Sequence, residues 1–468
     1  MSLLAGRERE RSLLRQAVAS PEAELIAVYG RRRVGKTFLV REHFAAELCF
    51  ELVGAYEVPL DQQLGNFAAA LATARRKHPL PQPRDWADAF RQLAEHLARL
   101  PKSRQKRVIF FDELPWLASR RSGFMPAFEH FWNGWAVKQR GLVVVVSGSA
   151  ASWMLEHLVT SRGGLHNRVT RRIRLEPFTL AETESYLAQR RITLTRYQLL
   201  ELYIAFGGVP HYLKQLERGE SAAQAIDRLC FSPDGLLRDE FGRLYASLFE
   251  HPERHEHVVR TLAKKRYGMT RNELIAAAGL TSGGRTTTLL DELDESGFVT
   301  RLPQFGFDTK DVVVRLTDEY SLFYLSFIEP GRGRGGWLTR RGSPAWRAWS
   351  GYAFEGVCVK HAQRLKRALG IEAVETHESA WKSRDAQVDL LVDRRDLTVN
   401  LCELKFSEGE FVIDKRYAAE LRNKRDSFRR ATGTKKAVLL TLVTTHGVRD
   451  NAWRRELVDK ELTMDALF

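Results

Sequence analysis

A glycine-rich loop near the start of the chain has the residue types and spacing needed to hold a nucleotide phosphate. Residues 30–37 read GRRRVGKT and fit the pattern GxxxxGK[ST] without a mismatch. In this pattern backbone N–H groups surround a phosphate, the lysine neutralises phosphate oxygens and the hydroxyl contacts Mg²⁺. An apolar run precedes the loop and a helical pattern follows, which favours this motif over a simple turn. The predicted ligands of ATP and Mg²⁺ are Gly30, Arg33, Gly35, Lys36 and Thr37.

Two carboxylates follow a second apolar run. Residues 107–113 read RVIFFDE, so Asp112 and Glu113 stand at the C-terminal end of a predicted strand. We predict that Asp112 holds Mg²⁺ through water and that Glu113 orients and deprotonates the attacking water. The alternative is that both acids only begin a helix at Leu114. The phosphate-binding loop upstream favours the catalytic interpretation.

Two further positions are candidates for contact with the γ-phosphate. The apolar run 143–147 leads into polar residues, so Ser147 or Ser149 could sense the phosphate, with a turn residue as the alternative. Arg168 lies in the basic stretch 167–172 and is our candidate for an arginine finger on the nucleotide of a neighbouring subunit. DNA contact and an ordinary solvated position are its alternatives. The finger role predicts a homo-oligomer.

These segments resemble a known family when they are taken together with SGSAASWM at 147–154 and GGVPHYL at 207–213. The set is similar to the AAA-related archaeal-type ATPases, a group placed with the signal-transduction ATPases with numerous domains. The resemblance covers about residues 1–330. It implies that the GxP segment, here Gly208 and Pro210, links the nucleotide state to a following winged helix. A helix-breaking turn is the alternative.

The C-terminal part carries a second set of catalytic residue types. Two apolar runs, 387–393 and 398–406, read as strands with Asp389 in the first and Glu403 and Lys405 in the second. Glu403 and Lys405 are two positions apart and therefore share one face of their strand. Two carboxylates suit Mg²⁺ or Mn²⁺, which would activate water while Lys405 positions it or offsets the developing charge. Glu355 on a preceding helix is a third carboxylate.

This set resembles the PD-(D/E)xK nuclease superfamily over about residues 345–445. Asp389, Glu403 and Lys405 match its core positions and Glu355 matches the acid of its first helix, although the motif's proline is missing. The resemblance implies a metal-dependent nuclease, with Asp389 and Glu403 as the metal ligands. Two alternatives remain open: exposed charges at a sheet edge, or a nuclease fold kept only for DNA binding.

The elements that position these residues define an α/β fold class with several parts. We predict a parallel-sheet P-loop NTPase core at 1–175, a helical lid at 176–250, a winged helix-turn-helix at 251–330, a basic linker at 331–344 and a restriction-endonuclease-like α/β domain at 345–468. In the winged helix, a capping box at Thr270 begins one helix and the next presents Arg285, Thr286, Thr287 and Thr288. Acidic residues further along that helix leave DNA contact and structural coupling both open.

The composition agrees with a nucleic-acid partner. The 468 residues carry 73 Lys and Arg against 58 Asp and Glu, a formal charge of +15. Such a surplus of positive charge favours a nucleic-acid partner over an anionic membrane surface. We predict that this partner is DNA, whether branched or single-stranded. Apolar runs are too short to span a bilayer and the four cysteines form no CxxC pair, so we expect a cytoplasmic protein without a zinc finger.

Three other patterns have more than one interpretation. His251, His255 and His257 invite a metal site, but ordinary packing is favoured. Trp337, Trp346 and Trp349 could stack on bases, but interface packing is favoured. The basic helix at 414–430 is either a phosphate track or a solvated surface.

The sequence therefore predicts an ATP-hydrolysing, DNA-processing protein with a metal-dependent nuclease domain, in which the ATP state controls assembly or DNA engagement. The alternatives are a nucleotide-switched DNA-binding regulator with a non-cleaving nuclease fold and an ATP-dependent remodeller of branched DNA.

Overall fold

The computed structural model describes residues 4–75, 81–101, 103, 105–119, 121–160, 167–265, 267–306, 312–331 and 335–468, without the side chains of 159 and 160. The chain divides into two compact units, Met1–Glu176 and Pro177–Phe468. None of the described helices is long and apolar enough to cross a membrane.

The first unit is built on five parallel strands in the order β2-β3-β4-β1-β5. All residues of β1 and β4 are buried, which explains their continuous apolar runs. The strands are β1 (Glu24–Tyr29), β2 (Leu48–Val53), β3 (Arg107–Asp112), β4 (Leu142–Gly148) and β5 (Arg171–Arg174). The helices are α1 (Glu8–Ala19), α2 (Lys36–His43), α3 (Leu60–Arg75), α4 (Trp86–Arg99), α5 (Leu114–Leu117), α6 (Phe124–Gly134) and α7 (Ala151–Met154).

The three predicted strands of this unit are confirmed as β1, β3 and β4. The basic stretch at 167–172 differs from the sequence interpretation, because its second half begins β5, which pairs with β1 at the edge of the sheet. Arg171 contacts Glu24 across this pair at 3.6 Å. Part of the basic run is therefore structural, since it neutralises a buried acid.

The second unit begins with helices and continues into a small antiparallel sheet with the order β6-β8-β7. Thr270 caps α14 through the predicted capping box with Glu273. The helices are α8 (Leu180–Gln189), α9 (Arg196–Phe206), α10 (Pro210–Leu213), α11 (Ala222–Cys230), α12 (Glu240–Ala246), α13 (Pro252–Ala263), α14 (Arg271–Ala278), α15 (Gly284–Glu295), α16 (Glu319–Phe323) and α17 (Glu329–Gly331). The strands are β6 (Met269–Thr270), β7 (Val299–Pro303) and β8 (Val312–Leu316).

The C-terminal part of this unit holds a mixed sheet in the order β13-β12-β11-β10-β9. Strands β9, β10 and β11 pair antiparallel, whereas β11, β12 and β13 pair parallel. The strands are β9 (Thr376–Lys382), β10 (Gln387–Arg394), β11 (Thr398–Lys405), β12 (Ala437–Thr444) and β13 (Lys460–Thr463). The helices are α18 (Pro344–Lys360), α19 (Ala362–Ala368), α20 (Lys415–Thr432) and α21 (Ala452–Leu457).

The tryptophans after α17 pack into the core of the second unit. Trp337 and Trp346 are each 1 % exposed, and their rings meet edge to face at 4.9 Å. Trp349 is also buried in this cluster. This burial agrees with packing rather than base stacking as the role of the tryptophans. The linker predicted at 331–344 stays a prediction, although Trp337 within it is buried, and 332–334 lie outside the described residues.

All four cysteines are free thiols. Cys230, Cys358 and Cys402 are buried, whereas Cys49 is partly exposed. Burial raises the pKa of Cys49 to about 11 and that of Cys402 to about 12, and it also raises the pKa values of the other two thiols. At neutral pH these thiols are therefore protonated and poorly nucleophilic.

Candidate functional site

The phosphate-binding loop predicted at 30–37 connects β1 to α2 in the first unit. Gly30 has φ +145°, and a Cβ added there would lie 2.2 Å from the carbonyl oxygen of Leu175. Arg33 and Gly35 also have positive φ values, 72° and 95°. Glycine is thus the only residue type that fits at position 30, because the backbone of Leu175, just after β5, passes directly beside it.

Lys36, the first residue of α2, is 5 % exposed and turns back into the loop. Its Nζ donates to the carbonyl oxygens of Gly30 at 2.8 Å and Arg31 at 3.1 Å, and to Ser149 Oγ at 3.0 Å. Burial lowers its pKa, while the charges of Glu113 and Asp112 act in the opposite direction. The loop thus holds an ammonium group among neutral oxygens that a phosphate can replace.

Asp112 ends β3 beside two hydroxyl groups. Thr37 Oγ1 donates to Asp112 Oδ2 at 2.6 Å, and the Ser147 hydroxyl donates to the other carboxylate oxygen. Asp112 is 3 % exposed, so this carboxylate is desolvated and compensated only by neutral donors and the nearby lysine. One hydroxyl and one carboxylate in contact form a donor set that fits Mg²⁺.

Glu113 follows in a left-handed conformation, with φ 51° and ψ 52°. Its carboxylate accepts from Ser149 N at 3.0 Å and from Ser149 Oγ at 2.5 Å. Ser149 therefore contacts both Glu113 and Lys36, whereas Ser147 contacts Asp112. Of the two candidate sensors, Ser149 is the one that lies against the loop lysine.

Arg168 lies apart from this group of contacts. Its side chain is exposed and has no hydrogen bond or ion pair with the described part of the chain. An exposed, unpaired arginine fits a contact made with another molecule, and the finger role stays a prediction.

The second predicted site gathers around Glu403 on β11. Glu403 is 5 % exposed and accepts from Tyr417 Oη at 2.6 Å. Lys424 Nζ contacts one of its oxygens at 2.6 Å, and Lys405 Nζ contacts the other at 2.8 Å. Burial alone would raise the pKa of Glu403, but the two lysines outweigh it and lower the value to about 2.

The charges of Asp389 and Glu355 also act on Lys405. Burial and the charge of Asp389 raise the pKa of Glu355 to about 7, against the opposing effect of Arg315. The pKa of Lys405 is raised despite its burial, because the charges of Glu403, Glu355 and Asp389 favour its charged form. The three predicted carboxylates thus act on one ammonium group.

The strand register brings Asp389 and Glu403 together. Leu390 of β10 pairs with Cys402 of β11, so Asp389 and Glu403 occupy the next position along the two antiparallel strands. No group of three or more His, Cys, Asp or Glu side chains among the described residues is placed to hold a metal ion. A divalent cation at Glu403 must therefore displace one of its lysine contacts.

Sequence reasoning missed the groups that surround this site. Arg315 of β8 donates to Glu355 Oε2 at 3.0 Å, and neither Arg315 nor Tyr417 was predicted to take part. Lys424 belongs to the basic helix predicted as either a phosphate track or a solvated surface, but its ammonium group contacts Glu403. The spacing of Tyr417 and Lys424, two turns apart on α20, is a helical signal that could have placed both on its inner face.

The second unit also shows the contacts of two of the three predicted histidines and of Thr286. His255 is bonded to Glu292 and to the carbonyl of His251, and His257 to the carbonyl of Ala278, so ordinary packing is confirmed for these two. Thr286 is buried and donates to Thr281 O, which removes it from the surface of α15 available to DNA.

The GxP segment is a tight contact. A Cβ on Gly208 would lie 1.8 Å from the carbonyl oxygen of Phe178, and Phe178 N donates to Gly208 O at 2.6 Å. Pro210 is the first residue of α10. The segment therefore fixes the entry of the chain into the second unit, while its response to nucleotide stays a prediction.

Comparison with known proteins identifies the class of the first unit. Residues 4–216 match a family described as an ATPase domain predominantly from Archaea. The structure is similar to the Walker-type ATPase of Pyrococcus abyssi, with 17 % identity, a TM-score of 0.51 and coverage of 69 % of this chain and 96 % of that chain. Residues 4–216 are thus similar to an archaeal-type ATPase domain, and the α/β fold with a parallel sheet is the one predicted.

The relative found among curated proteins extends over most of the chain. An uncharacterised protein of Methanocaldococcus jannaschii is 21 % identical over 420 residues, which are 87 % of this chain and 88 % of that protein. The nuclease-like resemblance of residues 345–445 stays a prediction.

Proposed function

We propose that the first unit binds ATP with Mg²⁺ and hydrolyses it. The observation that carries this proposal is the contact network in which Lys36 and Glu113 share Ser149 while Thr37 touches Asp112. Lys36 exchanges loop carbonyls for phosphate oxygens, and Thr37 and Asp112 hold Mg²⁺. Glu113 leaves Ser149 to orient the attacking water.

Two variants separate binding from hydrolysis. Lys36→Ala should lose binding of a fluorescent ATP analogue, because the phosphate loses its buried cation. Glu113→Gln should bind the analogue normally but release phosphate at least about 10²-fold more slowly. Hydrolysis at the wild-type rate by Glu113→Gln would remove Glu113 as the base.

We further propose that the C-terminal part of the second unit cleaves DNA with Mg²⁺ or Mn²⁺. The support is the convergence of Glu355, Asp389 and Glu403 on Lys405. Asp389 and Glu403 would hold the cation, which supplies an activated water and offsets phosphate charge. Lys405, once released from Glu403, would position that water or the scissile phosphate.

The test is a panel of linear, nicked, forked and four-way DNA incubated with Mg²⁺ or Mn²⁺, with and without ATP. Cleavage by the wild type should disappear in Asp389→Asn and Lys405→Ala, while ATP hydrolysis without DNA is unchanged. Retained cleavage in Asp389→Asn would assign the activity elsewhere. Dependence of cleavage on ATP would support control of DNA engagement by the first unit.

A second function is favoured by one observation. Both oxygens of Glu403 are occupied by lysines in the structure, as expected of a fold that binds DNA without cutting it. In that case the protein is a nucleotide-switched DNA-binding regulator. DNA binding without cleavage on every substrate of the panel would favour this function.

The elements from α13 to β8 support a winged helix in either case. Their order is helix, strand, helix, helix and two strands, with β7 and β8 as the wing. Arg285, Thr287 and Thr288 remain exposed at the start of α15 and are the proposed DNA contacts. A homo-oligomer is proposed on the exposure of Arg168 alone.

A further inference from the structure

A cavity of about 390 Å³ lies beside Asp389, between the small and the large sheet of the second unit. One wall comes from β7, β8 and the residues Lys265, Tyr267, Gly268, Thr270 and Glu273. The other comes from the end of β9, the start of β10 and the connection between them. The walls are joined by backbone, because Phe305 N donates to Ala380 O at 2.9 Å. The cavity therefore lies between two walls of the second unit that are hydrogen-bonded to each other.

Arg315 lines this cavity from the small sheet and is 3 % exposed. Its guanidinium stacks over the ring of Tyr352 at 4.6 Å and donates to Glu355. Arg315 therefore joins the wall of the cavity to Glu355.

The rim of the cavity adds charge and an aromatic surface. Lys382 and Arg384 are exposed, and neither forms an ion pair with the described carboxylates. Tyr267 is 51 % exposed on the opposite wall. Unpaired cations together with an exposed ring are the combination that binds a single nucleic-acid strand, through phosphate contacts and base stacking.

The volume of the cavity favours a single nucleic-acid strand over a duplex. Pockets that enclose a drug-sized ligand span about 300–1,000 Å³, so this one has room for one or two nucleotides but not for stacked base pairs. We propose that the cavity holds one DNA strand, such as a frayed end or flap, with Lys382 and Arg384 on its phosphates and Tyr267 against a base. Arg315 is a positioning residue that holds Glu355.

This inference rests on the proposed nuclease, since it names the strand that the same site receives. It is tested by binding in the absence of divalent cations, so that cleavage does not enter the measurement. The full chain is titrated against fluorescein-labelled oligo(dT), a duplex of equal length and oligo(rU), and fluorescence anisotropy is recorded at several salt concentrations.

The single DNA strand should bind, and its affinity, unlike that of the duplex, should depend on the residues of the cavity. Lys382→Ala with Arg384→Ala should weaken that binding about tenfold and reduce the salt slope by about 1.4, as expected for two lost phosphate contacts. Tyr267→Ala should weaken it about tenfold through lost stacking. The matched control, Lys435→Ala with Lys460→Ala, removes the same charge from exposed positions outside the cavity and should leave the affinity unchanged.

Equal losses in the control pair, or single-strand binding that the cavity variants leave unchanged, would overturn the cavity as the strand site. Preference for oligo(rU) would overturn the assignment to DNA. The proposed nuclease is judged separately by the cleavage panel. Cleavage with unaffected binding in the cavity variants removes this inference alone, whereas selective loss of strand binding without any cleavage removes the nuclease alone.

Discussion

The two candidate catalytic centres neutralise their carboxylates in different ways. In the first unit, Asp112 and Glu113 accept hydrogen bonds from serine and threonine hydroxyls, with Lys36 behind them. In the second unit, Glu403 contacts two lysines and Glu355 contacts an arginine. The first centre keeps its negative charge available, whereas the second has already paired it.

This difference bears on how each centre takes up a divalent cation. A hydroxyl that leaves a carboxylate can itself become a ligand, as Thr37 does in the proposed mechanism, so little is lost when Mg²⁺ arrives. A lysine cannot ligate a cation while it is protonated and must move away. We therefore expect the C-terminal centre to bind Mg²⁺ more weakly unless a DNA phosphate takes over Lys405 or Lys424.

The largest expected effect tests whether each lysine serves only its own centre. Lys36→Ala should lower ATP hydrolysis about 10³-fold, because the buried ammonium stabilises the charge that develops on the phosphate. Lys405→Ala should leave that rate unchanged in the absence of DNA. Phosphate release measures both. A strong fall of hydrolysis in Lys405→Ala would show that the two centres are not independent.

The second-largest expected effect compares the stability contributed by a carboxylate paired with lysines and by one that accepts from hydroxyls. Glu403→Gln leaves Lys405 and Lys424 without their shared counter-charge and should lower the free energy of unfolding by about 2–3 kcal/mol. Asp112→Asn replaces a carboxylate that accepts from two hydroxyls and the Glu113 N–H near Lys36, and should cost about 1 kcal/mol. Urea unfolding followed by tryptophan fluorescence gives both values. Equal losses would contradict the contrast between hydroxyl-held and cation-held carboxylates.

A third effect concerns the acid sensitivity of the second unit. Burial lowers the pKa of His361 to about 4, and its neutral ring accepts from Leu180 N at 3.1 Å. The folded value lies below the ordinary one of about 6.5, so its contribution is complete above pH 6.5 and is lost as pH falls towards 4. The loss should reach about 2 kcal/mol by pH 5.

His361→Gln supplies the control for this prediction, because its side-chain oxygen can accept the same hydrogen bond without titrating. Stability measured from pH 7 to pH 5 should fall less steeply in the variant. Identical slopes would assign the acid sensitivity to other groups.

The smallest expected effect distinguishes the two candidate sensors in the first unit. Ser149→Ala removes the hydroxyl that joins Glu113 to Lys36 and should reduce the preference for ATP over ADP about fivefold. Ser147→Ala alters only the contact with Asp112 and should leave that preference unchanged. Competition binding with both nucleotides measures the ratio. The reverse result would identify Ser147 as the sensor.

Whether a strand could be predicted from the sequence depends on its position in the sheet. The strands it predicted in the two large sheets, β1, β3, β4, β10, β11 and β12, are the inner ones, whose burial demands continuous apolar runs. The four it missed, β2, β5, β9 and β13, are all edge strands. Two of them, β5 (RRIR) and β13 (KELT), carry polar residues that no apolar pattern reveals, whereas the missed β2 (LCFELV) is largely apolar.

At the two candidate sites, the sequence likewise revealed only part of what the structure shows. Spacing along one strand placed Glu403 next to Lys405, and the loop motif placed Lys36 and Thr37. Arg315 reaches Glu355 from an element 40 positions earlier, and no local rule relates two residues at that separation. Motifs therefore found the groups that bear the chemistry, whereas the groups that hold them in place came only from the packed structure.

The four protected thiols make the chain a favourable host for a spectroscopic probe. Because Cys230, Cys358 and Cys402 are buried and the pKa of Cys49 is about 11, maleimide labels will react slowly with the native cysteines. A single accessible thiol introduced by Ser383→Cys on the cavity wall would react first. A fluorophore there would report strand entry in real time, without removal of any natural cysteine.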